Sequence, residues 1–88
     1  MRLDHFLKLA RIVKQRSAAK EACDSHRVEI SGRKAKAATD VRVGDEITVN
    51  LRDRFLRVQI REIPTGNVSR SRAADLYEVV EERSIPRR

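Results

Sequence analysis

Basic side chains gathered in the first 36 residues are the groups in this sequence best suited to chemistry on a ligand. Ten of the twenty Lys and Arg residues lie there with only four of the thirteen acids, which gives this stretch +6 of the chain's +7 charge. Residues 37–88 hold ten bases against nine acids. A basic patch confined to one part of a small domain is typical of a surface that binds a polyanion.

The turn Lys14-Gln15-Arg16-Ser17 is the segment of this stretch that best fits a phosphate group. Ser17 is the predicted N-cap of a helix, because its hydroxyl can accept a hydrogen bond from a free amide of the first turn. Lys14 and Arg16 would then lie beside amides that point at the same anion, an arrangement that binds phosphate. The alternative interpretation is an ordinary solvated turn.

A predicted hairpin over residues 28–37 supplies two further cations. It turns at Ser31-Gly32, and its second strand would bury its alanines and place Lys34 and Lys36 together on the opposite face. Two lysines on one strand face can follow a nucleic-acid backbone, but they can equally serve only to keep the edge of a sheet soluble.

Apolar periodicity predicts the elements that must position these side chains. Leu3, Phe6, Leu7 and Ala10 follow the spacing of one helical face, and small residues after Ser17 predict a second helix packed closely on the first. Alternating segments predict antiparallel strands. The remaining expected elements are strands over 47–51 and 56–60, a helical turn within 71–76 and a last strand at 77–79.

Length and composition restrict the class of protein. Eighty-eight residues fit one domain, and no apolar run is long enough to span a bilayer, so a soluble cytosolic protein without membrane association is expected. The single cysteine, Cys23, and two histidines show no metal-ligand spacing, so Cys23 is expected in the core and no cofactor is predicted. No nucleophile with a base and no phosphate-binding glycine loop is present, which argues against an enzyme.

An ordered series of short motifs resembles the S4 RNA-binding domain over residues 1 to 51. The motifs are Arg2-Leu3-Asp4 with Phe6-Leu7, Arg16-Ser17 with Ala19, the segment 28–32, Ala35-Lys36, and the segment 43–47. The resemblance implies an α+β S4 fold with two short N-terminal helices on a small antiparallel sheet. It divides the chain into the S4 domain at 1–51, a β extension of the same globular unit at 52–83 and a flexible tail at 84–88.

Among stand-alone S4 proteins the chain is similar to the bacterial RqcP type, with the ribosome-associated heat-shock S4 protein as a relative. The resemblance implies a monomer that binds 23S rRNA and peptidyl-tRNA on the large ribosomal subunit and assists an RqcH-like protein in adding alanine tails to stalled chains. The heat-shock relative usually has a longer basic C-terminal region, so the chain's end shortly after Pro86 favours the RqcP type. The alternatives are a rescue factor of the heat-shock type or a ribosome-assembly or rRNA-binding protein without a tailing role. A third alternative is a protein-interaction subunit whose basic face pairs with an acidic partner.

The resemblance also implies which residues contact RNA, and these lie on the helical pair, its turn and the hairpin. They are Arg2, Arg11, Lys14, Arg16, Lys20, Arg27, Lys34 and Lys36. Two positions depart from the family pattern. His26 stands where glycine is common, either as a tolerated turn residue or as an RNA contact, and Gln15 replaces a position that is often basic.

Overall fold

A computed structural model describes residues 1–84 and shows short helices beside one five-stranded antiparallel sheet. The elements are α1 (Leu3–Leu9), α2 (Arg16–Asp24), β1 (Val28–Ile30), β2 (Arg33–Lys34), β3 (Glu46–Asn50), β4 (Arg54–Ile60), α3 (Arg70–Ala73), a 3₁₀ turn (Ala74–Leu76) and β5 (Tyr77–Ser84). The strands lie in the order β2-β1-β3-β4-β5, and every neighbouring pair is antiparallel. The predicted α+β architecture, with two short N-terminal helices and an antiparallel sheet, is confirmed.

The core lies where the helical pair covers one face of this sheet. Leu3, Phe6 and Leu7 of α1 are fully buried, as the helical spacing predicted. From α2 only small side chains enter the core, Ala19, Ala22 and Cys23, and their size allows the two helices to approach closely. Burial of Cys23 confirms its predicted place in the core.

The start of α1 is fixed by backbone hydrogen bonds to the loop that follows β2. The amides of Leu3 and Asp4 have no partner within the helix, and they donate to the carbonyls of Thr39 and Ala37 at 2.8 and 3.1 Å. The terminal ammonium donates to the Asp40 carboxylate at 2.6 Å. These bonds bring Arg2 to the loop that contains Lys36.

Both N-terminal helices end in the same way. The amide of Ile12 donates to the carbonyl of Leu7 and that of Arg27 to Ala22, which are the longer bonds of two Schellman motifs. The motif requires a left-handed residue just before the donor, and here Arg11 and His26 adopt it with φ of 58° and 60°. His26 therefore adopts the left-handed backbone that glycine commonly provides at the end of a helix.

The prediction that Ser17 caps α2 is wrong. The helix begins at Arg16, its N-cap is the extended residue Gln15, and no side chain accepts a hydrogen bond from the first-turn amides. The Ser17 hydroxyl instead donates to Gln15 Oε1 at 3.4 Å. Packing of Ala19 and Cys23 on α1 sets the phase of the helix, and this tertiary requirement outweighs the capping preference of serine.

The second strand of the predicted hairpin is shorter than expected. Arg33 and Lys34 form the ladder with β1, and the Ala35 amide adds one bond to the Val28 carbonyl at 3.1 Å, before the chain turns so that its carbonyls can accept the amides of α1. Ala35 and Ala37 are nevertheless buried, and Lys34 and Lys36 are exposed, as predicted.

Residues beyond β3 extend the same sheet and support the helical pair. A guanidinium nitrogen of Arg54, on β4, donates to the carbonyl of Ile12 at 2.9 Å, which ties the extension to the turn after α1. Ser84, predicted as the start of the tail, pairs with Arg54 at the end of β5. The rest of the predicted tail, 85–88, lies outside the described residues. Within residues 1–84, no helix is both long enough and apolar enough to cross a membrane.

Candidate nucleic-acid interface

Asp4 is the buried anchor of the basic surface. Its side chain is almost completely inaccessible, yet its carboxylate lies 3.2 Å from Nε of Arg2 and 3.4 Å from Nε of Arg16. The backbone amide of His5 donates a third bond at 2.8 Å. One carboxylate therefore holds two half-exposed guanidiniums, one from the chain terminus and one from the first turn of α2, side by side at the surface.

The charge of Asp4 is maintained by these contacts. Burial by itself raises the pKa of the Asp4 carboxyl, but hydrogen bonds from Arg2, His5 and Arg16, with the positive charge of Arg16, outweigh it and leave the pKa below the ordinary value. The ionised carboxylate accepts more strongly than a neutral acid, so both arginines stay oriented at neutral pH.

A groove between α2 and the segment 34–38 brings together half of the predicted contact residues. Its volume is about 660 Å³. Cys23, Ala35 and Ala37 form a buried, apolar floor. The exposed cations that line it are Arg2, Lys20, Lys34 and Lys36, and Asp24 is its one acid. The structure thus joins residues from three separate parts of the sequence into one basic rim.

A second basic pocket lies at the turn after α1 and contains two more of the predicted residues. It measures about 360 Å³, and Arg11 and Lys14 line it with Lys8. Asn67 and Val68 of the extension form its far wall. Arg11 is the left-handed residue that ends α1.

Arg27 is the predicted residue that the structure sets apart. It lines neither the groove nor the second pocket, but a shallow depression that it shares with Arg52 and Asp53 of the turn between β3 and β4. The Schellman motif sends the chain away from the groove immediately after His26. Arg27 therefore belongs to a different part of the surface from Lys34 and Lys36.

Sequence reasoning missed several functional side chains of this surface. Lys8, Asn67 and Val68 line the second pocket but are not among the RNA contacts that the resemblance implies. Asp4 is part of the motif Arg2-Leu3-Asp4, but its contacts with two arginines were not predicted. The sequence contains one signal for this role. Asp4 is the only acid among the first 20 residues and follows Arg2 by two positions, so its nearest charged partners are cations.

This arrangement can bind phosphates that are fixed in space. Two guanidiniums on a common anchor and two lysines across a groove neutralise several backbone charges at once, and displaced counterions make such binding favourable and dependent on salt. A surface of this kind contacts backbone and shape more than base edges, which is the usual way that structured RNA is recognised.

Comparisons with known proteins agree with this geometry. The family model described as the S4 domain matches residues 1–47, which include both helices, the groove and the start of β3. The chain is 40% identical over 85 residues to the RQC P-site tRNA stabilizing factor of Bacillus subtilis, covering 97% of this chain and 98% of that protein. A protein of the same name from Halalkalibacterium halodurans is also 40% identical, with 97% and 96% covered.

Solved structures give the same result for the fold. A trimeric structure of Heat Shock Protein 15 from Vibrio cholerae superposes with a TM-score of 0.83 at 30% identity, covering 91% of this chain and 81% of that one. Fold, matched residues and relatives of nearly equal length agree. The chain therefore belongs to the S4 domain family and, within it, to the stand-alone RqcP-type proteins that include the RQC P-site tRNA stabilizing factors.

Proposed function

We propose that this protein binds structured RNA on the large ribosomal subunit and holds peptidyl-tRNA there during ribosome-associated quality control. The observation that carries the proposal is the pair of arginines held by buried Asp4 beside a groove edged with lysine. The names of the relatives, which specify stabilisation of P-site tRNA, support the choice of RNA. Binding of this kind takes place in the cytoplasm.

The two basic pockets support a surface that contacts two RNA elements. The groove and the second pocket share no lining residue, since one lies against segment 34–38 and the other against residues 67–68. A protein that bridges 23S rRNA and tRNA needs two such areas, whereas a protein that binds one helix needs one. We assign the bridging role to these two areas together.

The protein acts in this proposal by binding and not by catalysis. Holding the tRNA on the subunit keeps the acceptor end of the peptidyl-tRNA in place while an RqcH-like protein delivers alanine for the C-terminal tail. No proton transfer or nucleophile on this chain is required for that role. The chemistry of peptide-bond formation stays with the subunit.

Binding to large subunits that carry P-site tRNA tests the proposal. Wild type is compared with Arg16→Ala and with the control Arg83→Ala, over a series of salt concentrations. Arg16 is held by Asp4, whereas Arg83 lies on β5, at the opposite edge of the sheet from β2. Loss of affinity for Arg16→Ala alone, by roughly tenfold, supports the proposal. Equal affinities for the two variants would favour a protein partner on the basic face.

A second candidate is a rescue factor of the heat-shock type without a role in tailing. The structural similarity to Heat Shock Protein 15 favours it. The two candidates differ in a reconstituted tailing reaction with large subunits, an RqcH-like protein and alanyl-tRNA. Tail synthesis that depends on this protein supports the first candidate, and binding without any effect on tail length supports the second.

A further inference from the structure

His26 keeps a strained backbone at an exposed position. A residue with a Cβ in the left-handed conformation costs roughly 1 kcal/mol relative to glycine, and its φ is 60°. The His26 side chain is exposed, so burial in the core does not offset this cost. The Schellman motif that ends α2 requires this conformation, and a contact between the His26 side chain and a ligand would offset the cost of having histidine there in place of glycine.

The position of His26 in the fold points to that ligand. It lines the groove between α2 and segment 34–38, beside the floor made by Cys23, Ala35 and Ala37. Phosphate groups require the cations of the rim but gain nothing from an apolar floor. A ligand that uses the whole groove therefore has a flat apolar part and an anionic part.

We propose that the groove receives one unpaired nucleotide of the bound RNA. Its base lies on the floor against the imidazole of His26, and its phosphates contact the cations of the rim. Unpaired nucleotides in RNA loops and bulges commonly stack on aromatic side chains, histidine among them. A volume of about 660 Å³ lies within the range of sites that take small ligands. The inference rests on the RNA binding proposed above and adds a recognised feature to it.

The structure provides a matched set of variants for the test. His26→Gly removes the ring and relieves the left-handed strain, and His26→Asn removes the ring but keeps a residue that tolerates this conformation. Ser31→Gly is the control, because Ser31 also has a positive φ, of 52°, and does not line the groove. Both glycine variants are expected to raise the melting temperature, so a loss of binding cannot be attributed to unfolding.

The probe is an RNA hairpin with a single bulged fluorescent purine analogue, compared with the same hairpin fully paired. Wild type and Ser31→Gly are expected to prefer the bulged hairpin and to change its fluorescence. His26→Gly and His26→Asn are expected to bind the bulged hairpin roughly fivefold to tenfold more weakly, with unchanged affinity for the paired one.

Two results would overturn the inference. If the wild-type protein binds both hairpins with equal, salt-dependent affinity, the groove is not a nucleotide site, although the protein still binds RNA. The inference is also overturned if both His26 variants still prefer the bulged hairpin, because the imidazole ring would then not contribute to binding the nucleotide. Wild type that binds neither hairpin nor the large subunit overturns the proposed function, and this inference falls with it.

Discussion

At the scale of single residues, Asp4 controls the direction of two positive charges. Replacing it by asparagine keeps the shape but removes the charge that attracts Arg2 and Arg16. Asp4→Asn is expected to lower the free energy of unfolding by about 1–2 kcal/mol, because the ion pairs with both arginines are lost and the amide nitrogen cannot accept a hydrogen bond. It is also expected to weaken RNA binding although no RNA-contacting residue has changed. Denaturant unfolding and subunit binding measure the two effects, and unchanged binding would show that Asp4 has no positioning role.

The same carboxylate predicts a pH dependence of stability. Because the pKa of Asp4 is lowered in the folded protein, its contribution to stability is fully present above the ordinary carboxyl value near pH 4 and is lost as the pH falls through the folded value. The N-terminal ammonium lowers the pKa of Asp40 as well, so the informative quantity is the difference between proteins. Thermal melts are expected to show a smaller loss below pH 4 for Asp4→Asn than for wild type. Identical slopes would contradict the assignment.

At the scale of elements, the two candidate N-caps provide a direct comparison. Ser69 accepts a hydrogen bond from the Arg72 amide at the start of α3, whereas Ser17 lies inside α2 and caps nothing. Ser69→Ala is expected to lower the free energy of unfolding by about 0.5–1 kcal/mol, and Ser17→Ala to leave it within about 0.5 kcal/mol. Chemical denaturation measures both. A larger cost at Ser17 would restore the capping role that its sequence position suggested.

The contact between β4 and the turn after α1 is the second element-scale prediction. Arg54→Ala removes the hydrogen bond to the Ile12 carbonyl and is expected to cost about 1–2 kcal/mol, whereas Arg52→Ala, in the exposed neighbouring turn, is expected to cost little. Because Arg11 lies directly before Ile12, binding by the second pocket is expected to weaken as well. If Arg54→Ala lowers stability but leaves RNA binding unchanged, the β extension does not contribute to the RNA interface.

The features that depend on the local spacing of apolar residues could be predicted from the sequence. Burial follows from local spacing, as Leu3, Phe6 and Leu7 show for a helix and the alternation around Ile47 shows for a strand. The two N-terminal helices and the central strands could therefore be predicted. Contacts between distant segments could not be obtained in this way. The start of α2, the shortness of β2 and the meeting of Arg2 with segment 34–38 depend on packing and on backbone bonds between α1 and a distant loop. The separation of Arg27 from the groove has the same origin.

At the scale of the whole molecule, Cys23 reports opening of the domain. Burial, and then the negative charges of Asp4 and Asp24, raises the pKa of its thiol to about 11. The folded protein is therefore expected to react very slowly with an alkylating reagent at neutral pH, since the thiolate is the reactive form. The labelling rate is expected to rise with Arg54→Ala in proportion to the unfolded population. Fast labelling of wild type would show that the helical pair opens separately from the sheet.

The monomeric state stays a prediction of the whole-molecule account, and the trimeric structure of Heat Shock Protein 15 makes it worth measuring. The charge distribution is more decisive for function, because +6 of the net +7 lies in residues 1–36, whereas Arg54 and Arg57 of β4 pair with Glu82 and Glu81 of β5. The net basic charge is therefore concentrated in the N-terminal part of the chain and not at the sheet edge formed by β5.

The most direct test of this account is the affinity of wild-type protein for large ribosomal subunits with and without P-site peptidyl-tRNA at one physiological salt concentration. If the two basic areas bridge rRNA and tRNA, the subunit that carries peptidyl-tRNA is expected to bind at least roughly tenfold more tightly, and Arg16→Ala is expected to reduce that difference. Equal affinity for the two subunits, unchanged by Arg16→Ala, would contradict the central claim.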